Sequence, residues 1–122
     1  MLSVRKEMRD RHLIAVMADA DMVTGMLLAG IGTTDPLHGP NYHISDHKTP
    51  IDALEDAFKR LTARKDVAVL LITQPVADRI RHVVDDYEQV LPSLLEIPSK
   101  DSPYDMDKDS LLRRINRLCG AD

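Results

Sequence analysis

Three glycines stand within eight residues of one another and raise the possibility of a phosphate-binding loop. They are Gly25, Gly30 and Gly32. Such a loop places its glycines between a strand and the next helix, where free backbone N–H groups at the positive helix end meet the phosphate. Here the turn after the first predicted strand is residues 18–21, which contain no glycine and two carboxylates. Those charges repel a phosphate, so the glycines are predicted to end the helix instead.

The two carboxylates in that turn, Asp19 and Asp21, resemble the acidic residues that hold a divalent cation in receiver domains of signalling proteins. A receiver also carries a phosphorylated aspartate at the end of its third strand. In this sequence that position is Thr73-Gln74, and a fifth strand with its lysine is missing. Asp19 is therefore predicted to be a helix N-cap, and Asp21 an acidic residue of the first turn.

Three histidines, His38, His43 and His47, lie within ten residues, in a segment that is predicted to be strand and loop. A tight zinc site needs three or four converging ligands, and no cysteine is near. We expect surface histidines rather than a metal site. Cys119 has no histidine or carboxylate partner nearby and is predicted to be a small apolar residue of the terminal helix. The sequence thus predicts no catalytic site, no metal and no cofactor.

Four apolar runs alternate with three helical patterns, which predicts an α/β fold. The predicted strands are residues 12–18, the region around Tyr42 and Ile44, residues 67–72 and residues 94–97. Right-handed crossovers then give a small four-stranded parallel sheet of order 2-1-3-4, flanked by helices as in Rossmann-like and receiver-like domains. Val69 and Leu71 of the third strand are predicted to be core. This sheet domain is expected to span residues 1–97.

The helices between the strands have recognisable starts and apolar stripes. One should follow the Asp19 cap, and a second should have Thr49 as its N-cap and Pro50 as its first residue. A third should begin near Pro75 and run as one helix through an apolar stripe that ends at Tyr87.

The end of the chain is predicted to be a linker, residues 98–104, followed by an interaction helix, residues 105–122. Pro98 and Pro103 should keep the linker extended. Acidic residues precede the helical stripe, arginines stand between its apolar residues, and Gly120 supplies a stop. Either the stripe docks on the sheet domain or it is buried against another protein. The linker favours the second, with these contact residues: Leu111, Leu112, Arg113, Arg114, Ile115, Arg117 and Leu118.

Composition excludes several classes of protein. The chain has 122 residues, 43% of them hydrophobic and 3% aromatic, which fits one domain with an aliphatic core. Sixteen basic and twenty acidic residues give a net charge of −4, which argues against nucleic-acid binding. The longest uncharged stretch, residues 22–34, is too short to cross a bilayer, and residues 1–11 do not read as a secretory signal. At a membrane, another protein would have to hold this chain.

Two segments make the sequence recognisable. Residues 18–32 (ADADMVTGMLLAGIG) and residues 94–105 (LLEIPSKDSPYD), continued by residues 108–114 (KDSLLRR), resemble the F subunit of eukaryotic vacuolar-type proton-pumping ATPases. The resemblance covers nearly the whole chain. Two departures are Ala20, where an acidic residue is expected, and residues 33–40, which do not match.

The resemblance implies a non-catalytic subunit of the central stalk, or rotor. Its implied partners are the coiled-coil D subunit, the A and B subunits of the ATPase ring and other stalk subunits. ATP hydrolysis on the A and B subunits would turn the stalk and drive proton transport. The implied location is the cytoplasmic face of vacuolar or other endomembranes, as a peripheral subunit that is partly free in the cytosol, without membrane insertion.

Overall fold

Six strands and five helices follow one another in the computed structural model, which describes residues 10–101 and 103–119. In chain order they are β1 Leu13–Ala18, α1 Ala20–Leu28, β2 Thr34–Asp35, β3 Gly39–Pro40, β4 Tyr42–Ile44, α2 Ile51–Ala63, β5 Val67–Thr73, α3 Gln74–Arg79, α4 Arg81–Asp85, β6 Ser93–Ile97 and α5 Ser110–Cys119. A 3-10 turn, Met106–Lys108, precedes α5. No helix among the described residues is long and apolar enough to cross a membrane.

The main sheet has the order β4-β1-β5-β6, with every neighbouring pair parallel. This confirms the predicted α/β class and the 2-1-3-4 order. Strands β2 and β3 form a separate antiparallel hairpin within the segment that does not match the resemblance. Two-residue strands leave no periodic signal in a sequence, so the hairpin could not be predicted. Gly39, the first residue of β3, has a φ of +75°, which glycine adopts readily.

Helix α1 begins and ends as its sequence predicts. The Asp19 carboxylate accepts a hydrogen bond from the Met22 backbone N–H at 2.8 Å, the interaction of an N-cap. At the other end, the Ile31 N–H donates to the Met26 carbonyl and the Gly30 N–H to the Leu27 carbonyl. With Gly30 at φ of +92°, this is a Schellman motif that satisfies the last carbonyls of the helix.

Two helix predictions need correction. Helix α2 has Pro50 rather than Thr49 at its N-cap, and the Thr49 hydroxyl accepts instead from the Asp46 N–H at 3.1 Å. The single helix predicted after Pro75 is two short helices, α3 and α4. They are broken at Ile80, whose φ of −123° and ψ of 35° are not helical. The predicted stripe nevertheless lies in the core or packs against it, and Ile80 itself is fully buried.

The two faces of the sheet are covered unequally. One face packs against α2, α3 and α4, and its central residues Met17, Leu70 and Ile72 have no exposed surface. The other face is covered by α1, and Leu71 is only partly buried there. Val69 and Leu71 do lie on a central strand, as predicted, but both are only partly buried. A continuous apolar run does not reveal which alternate residues face the better-covered side.

The unequal faces predict unequal costs for the same substitution. Replacing Ile72 with Val should lower the free energy of unfolding by about 0.5–1.5 kcal/mol, because the lost methylene leaves a void. Replacing Ile14 with Val should cost less than about 0.5 kcal/mol, because Ile14 is already 36% exposed on the other face. Urea unfolding of both variants measures the difference. Equal costs would contradict this assignment of the faces.

Candidate interaction site

The C-terminal helix α5 begins at a buried, capped end. The Asp109 carboxylate accepts from the Leu111 N–H at 2.9 Å, and Asp109 and Ser110 are 6% and 3% exposed. The Tyr104 hydroxyl donates to the other oxygen of Asp109, and this hydrogen bond raises the pKa of Tyr104 to about 12. The first turn of α5 is therefore fixed by the segment that precedes it.

Glu96, in the second half of β6, connects that first turn to the sheet. Its side chain has no exposed surface. The carboxylate accepts from Arg81 Nη1 at 2.8 Å, from the Ser110 N–H at 2.7 Å and from Gln74 Nε2 at 3.3 Å. Burial alone would lower the pKa of Arg81, but the hydrogen bonds to Glu96 and Asp78 raise it overall. A buried carboxylate is stable only with such partners.

Gln74 and Arg81 hold the backbone just before α5. The Gln74 amide accepts from the Asp105 N–H at 2.6 Å and donates to the Asp105 carbonyl at 2.8 Å. Arg81 also donates to the Lys108 carbonyl at 2.7 Å. We call Gln74, Arg81, Glu96, Asp105 and Ser110 the junction. No local sequence pattern identifies the residues of the junction. The charge of Glu96 inside the apolar run of β6 is nevertheless a signal that sequence analysis can use.

The seven residues predicted as partner contacts divide into two groups. Leu111, Leu112 and Arg114 are half-buried; Arg113, Ile115, Arg117 and Leu118 are exposed. The Arg113 guanidinium lies 3.1 Å from the Asp85 carboxylate. Arg114 donates to the Glu88 carbonyl at 3.2 Å and lies 5.8 Å from the centre of the Tyr87 ring.

The second half of α5 projects beyond these contacts. Ile115 is 45% exposed and Leu118 is 85% exposed, and Arg117 and Cys119 are exposed as well. The helix is thus held to the domain through its first half. Its second half presents apolar side chains to solvent. The predicted Gly120 stop lies outside the described residues.

The three histidines do not meet. His38 lies 3.0 Å from Asp35, His43 lies 2.7 Å from the Ser45 hydroxyl, and His47 is exposed. Burial, with a smaller contribution from the nearby Arg60 charge, lowers the pKa of His43.

His38 does approach two carboxylates, those of Asp35 and Asp66, with one ligand atom from each within 4.8 Å of the others. Both oxygens of Asp66 accept from the Arg64 guanidinium, at 3.0 and 2.8 Å, and this lowers the pKa of Asp66. Arg64 also donates to the Pro40 carbonyl at 3.2 Å. We interpret the group as an ion-pair network that holds the β2–β3 hairpin.

Comparison with known proteins identifies the family of the chain. Residues 14–115 match the family model described as ATP synthase (F/14-kDa) subunit. The V-type proton ATPase F subunit of Dictyostelium discoideum is 47% identical over 117 residues, 96% of this chain and 98% of that protein. The F subunit of Neurospora crassa is 51% identical (98% and 99% covered), and that of Homo sapiens is 44% identical (90% and 92% covered). The chain therefore belongs to the ATP synthase (F/14-kDa) subunit family and, within it, to the F subunits of V-type proton ATPases, as its two recognisable segments predicted.

Proposed function

We propose that the chain is a non-catalytic central-stalk subunit that couples ATP hydrolysis on the A and B subunits to rotation and proton transport. The proposal starts from family membership, since the F subunits of V-type proton ATPases are parts of a proton-pumping complex. The observation that carries it further is α5, which is anchored at its first turn and carries exposed apolar side chains beyond it. An isolated helix of ten residues is marginal in water, so a projecting half-helix gains stability from a partner.

The anchored first turn and the projecting second half of α5 also support different roles for different segments of the chain. The sheet domain, residues 1–97, and the segment 98–104 position α5, and the element 105–122 engages neighbouring subunits. Leu111, Leu112, Arg113 and Arg114 hold the helix to the domain, while Ile115, Arg117 and Leu118 form the outward contact. The junction fixes this boundary, because Gln74 bonds directly to Asp105 and Glu96 bonds directly to Ser110.

The proposed partners are the coiled-coil D subunit of the stalk, the A and B subunits that surround it and other stalk subunits. A coiled coil offers an apolar seam flanked by charges, which complements a stripe of Ile115 and Leu118 beside Arg117. The chain would work at the cytoplasmic face of vacuolar or other endomembranes as a peripheral subunit, partly in free cytosolic sectors. The turn of acidic residues at Asp19 and Asp21 argues against a nucleotide site on this chain.

Direct binding tests the proposal. Purified chain and purified D subunit, mixed and separated by size, should elute as one complex. The chain alone should bind no ATP in calorimetry. Separate elution of the two proteins, or tight binding of ATP by the chain alone, would contradict the proposed role.

A further inference from the structure

A cleft of about 480 Å³ opens at the edge of the main sheet where all four parallel strands end. Asp19 and Asp21 follow β1, Asp46 follows β4, Thr73 ends β5, and residues 99–101 follow β6. In open α/β sheets this edge is where ligands bind, at the point where the strand order reverses. Here β1 and β5 flank that point, because the crossover after β1 runs to β4 on one side and the crossover after β5 runs to β6 on the other.

The two segments by which the sequence is recognisable form opposite walls of the cleft. Asp21 lies in one and Lys100 in the other, and the Lys100 ammonium donates to the Asp21 carboxylate. This hydrogen bond lowers the pKa of Asp21 and raises that of Lys100, so both are charged at neutral pH. The bond joins residues 79 positions apart and connects the two walls.

Charge in the cleft is unbalanced. Among the residues that the structure describes, four carboxylates line it, against the two cationic groups of Arg79 and Lys100. Asp46 uses one oxygen for the Lys48 and Thr49 N–H groups, which lowers its pKa and leaves its second oxygen available. The excess of negative charge favours a cationic occupant and disfavours a phosphate.

A threonine in the cleft has a hydroxyl that lacks a partner. Thr73 is 2% exposed and lines the cleft. It stands at the N-cap of α3 without making the capping hydrogen bond, and its hydroxyl has no hydrogen-bond partner among the described residues. The hydroxyl is therefore free to bond to a group that enters the cleft.

We propose that this cleft receives a lysine or arginine side chain from a neighbouring subunit of the ATPase. The inference rests on the proposed function, which supplies neighbouring subunits. Location favours a protein occupant over a free small cation, because one wall, residues 99–101, leads directly into the junction and α5. The carboxylates would bind the cationic end of the side chain, and the Thr73 hydroxyl would accept one of its N–H groups.

Amide chemical shifts of the isolated, full-length chain test whether the cleft binds a cationic side chain. A capped Ala-Arg-Ala peptide should cause saturable shift changes around the cleft, and the same peptide with neutral citrulline should not. Asp46→Asn and Asp101→Asn should each weaken binding about tenfold, because each removes a charged hydrogen-bond acceptor. Thr73→Val, of nearly equal shape, should also weaken it. Asp56→Asn, which changes an exposed carboxylate on α2, is the matched control. Equal responses to arginine and citrulline, or to Asp46→Asn and Asp56→Asn, would overturn the proposal.

Carboxyl labelling of the assembled ATPase distinguishes the source of the cation. Carbodiimide with glycine ethyl ester should modify Asp46 and Asp101 in the free chain and much less in the complex. Unchanged labelling in a complex that does assemble would overturn the partner side chain while leaving the proposed function intact. Failure of the chain to assemble would instead refute the proposed function.

Discussion

Replacing Arg81 with Met is expected to lower the free energy of unfolding by about 3–5 kcal/mol. The reason is Glu96, whose side chain has no exposed surface and whose charge is balanced by Arg81 at 2.8 Å. Removing the cation leaves a buried carboxylate whose remaining donors among the described residues are neutral, the Ser110 N–H and the Gln74 amide. A loss of this size is a large part of the stability of a small domain, so thermal and urea unfolding should both detect it.

A matched control separates the buried pair from surface ion pairs. Arg113 pairs with Asp85 at 3.1 Å, but its side chain is 48% exposed. Arg113→Met should therefore cost no more than about 1 kcal/mol. The double variant Arg81→Met with Glu96→Met should recover part of the loss, because it removes the buried charge as well as its partner. If Arg81→Met costs no more than Arg113→Met, the junction does not stabilise the chain.

Replacing Leu118 with Asp is expected to leave the fold intact and to reduce ATP-driven proton transport by more than half. Leu118 is 85% exposed on the projecting half of α5, so the isolated chain loses little. If a partner buries it, the substitution forfeits about 1.5–3 kcal/mol of apolar burial and adds the cost of a desolvated charge. Replacing Ile115 with Asp should act in the same direction. Proton transport into vesicles carrying the rebuilt ATPase measures the effect.

Leu28 provides the control for this prediction. It is also a leucine, also 85% exposed, and it lies at the end of α1, away from α5. Leu28→Asp should preserve transport if the effect belongs to the α5 surface. Equal losses of proton transport for Leu28→Asp and Leu118→Asp would mean that any added surface charge disturbs assembly. Unchanged proton transport for Leu118→Asp would mean that α5 does not take part in coupling.

The strand order and the cap of α1 could be predicted because each follows from local chemistry. A buried parallel strand is a continuous apolar run, and Asp19 before a helical stripe is a capping signal. The break at Ile80 could not be predicted, because its apolar spacing continues through the non-helical residue. The deeper face of β5 depends on which helices cover it, and the β2–β3 hairpin is too short to leave a pattern.

The candidate site could be predicted only in part. The spacing of Leu111, Ile115 and Leu118 predicts the apolar stripe of α5. The exposure of Ile115 and Leu118 agrees with that prediction. The junction pairs Gln74 with Asp105, and Glu96 with Arg81 and Ser110, across 14 to 31 positions. Such long-range polar pairs depend on the folded topology, and no local sequence pattern predicts them.

Parallel assays of ATP hydrolysis and proton transport test the central claim, a non-catalytic stalk subunit, most directly. ATPase purified without this chain is placed in vesicles and supplied with the wild-type chain or with residues 1–110. The wild-type chain should restore proton transport while hydrolysing no ATP alone, and the truncated chain should fold yet restore less. Full transport without the chain, or ATP hydrolysis by the chain alone, would contradict the account.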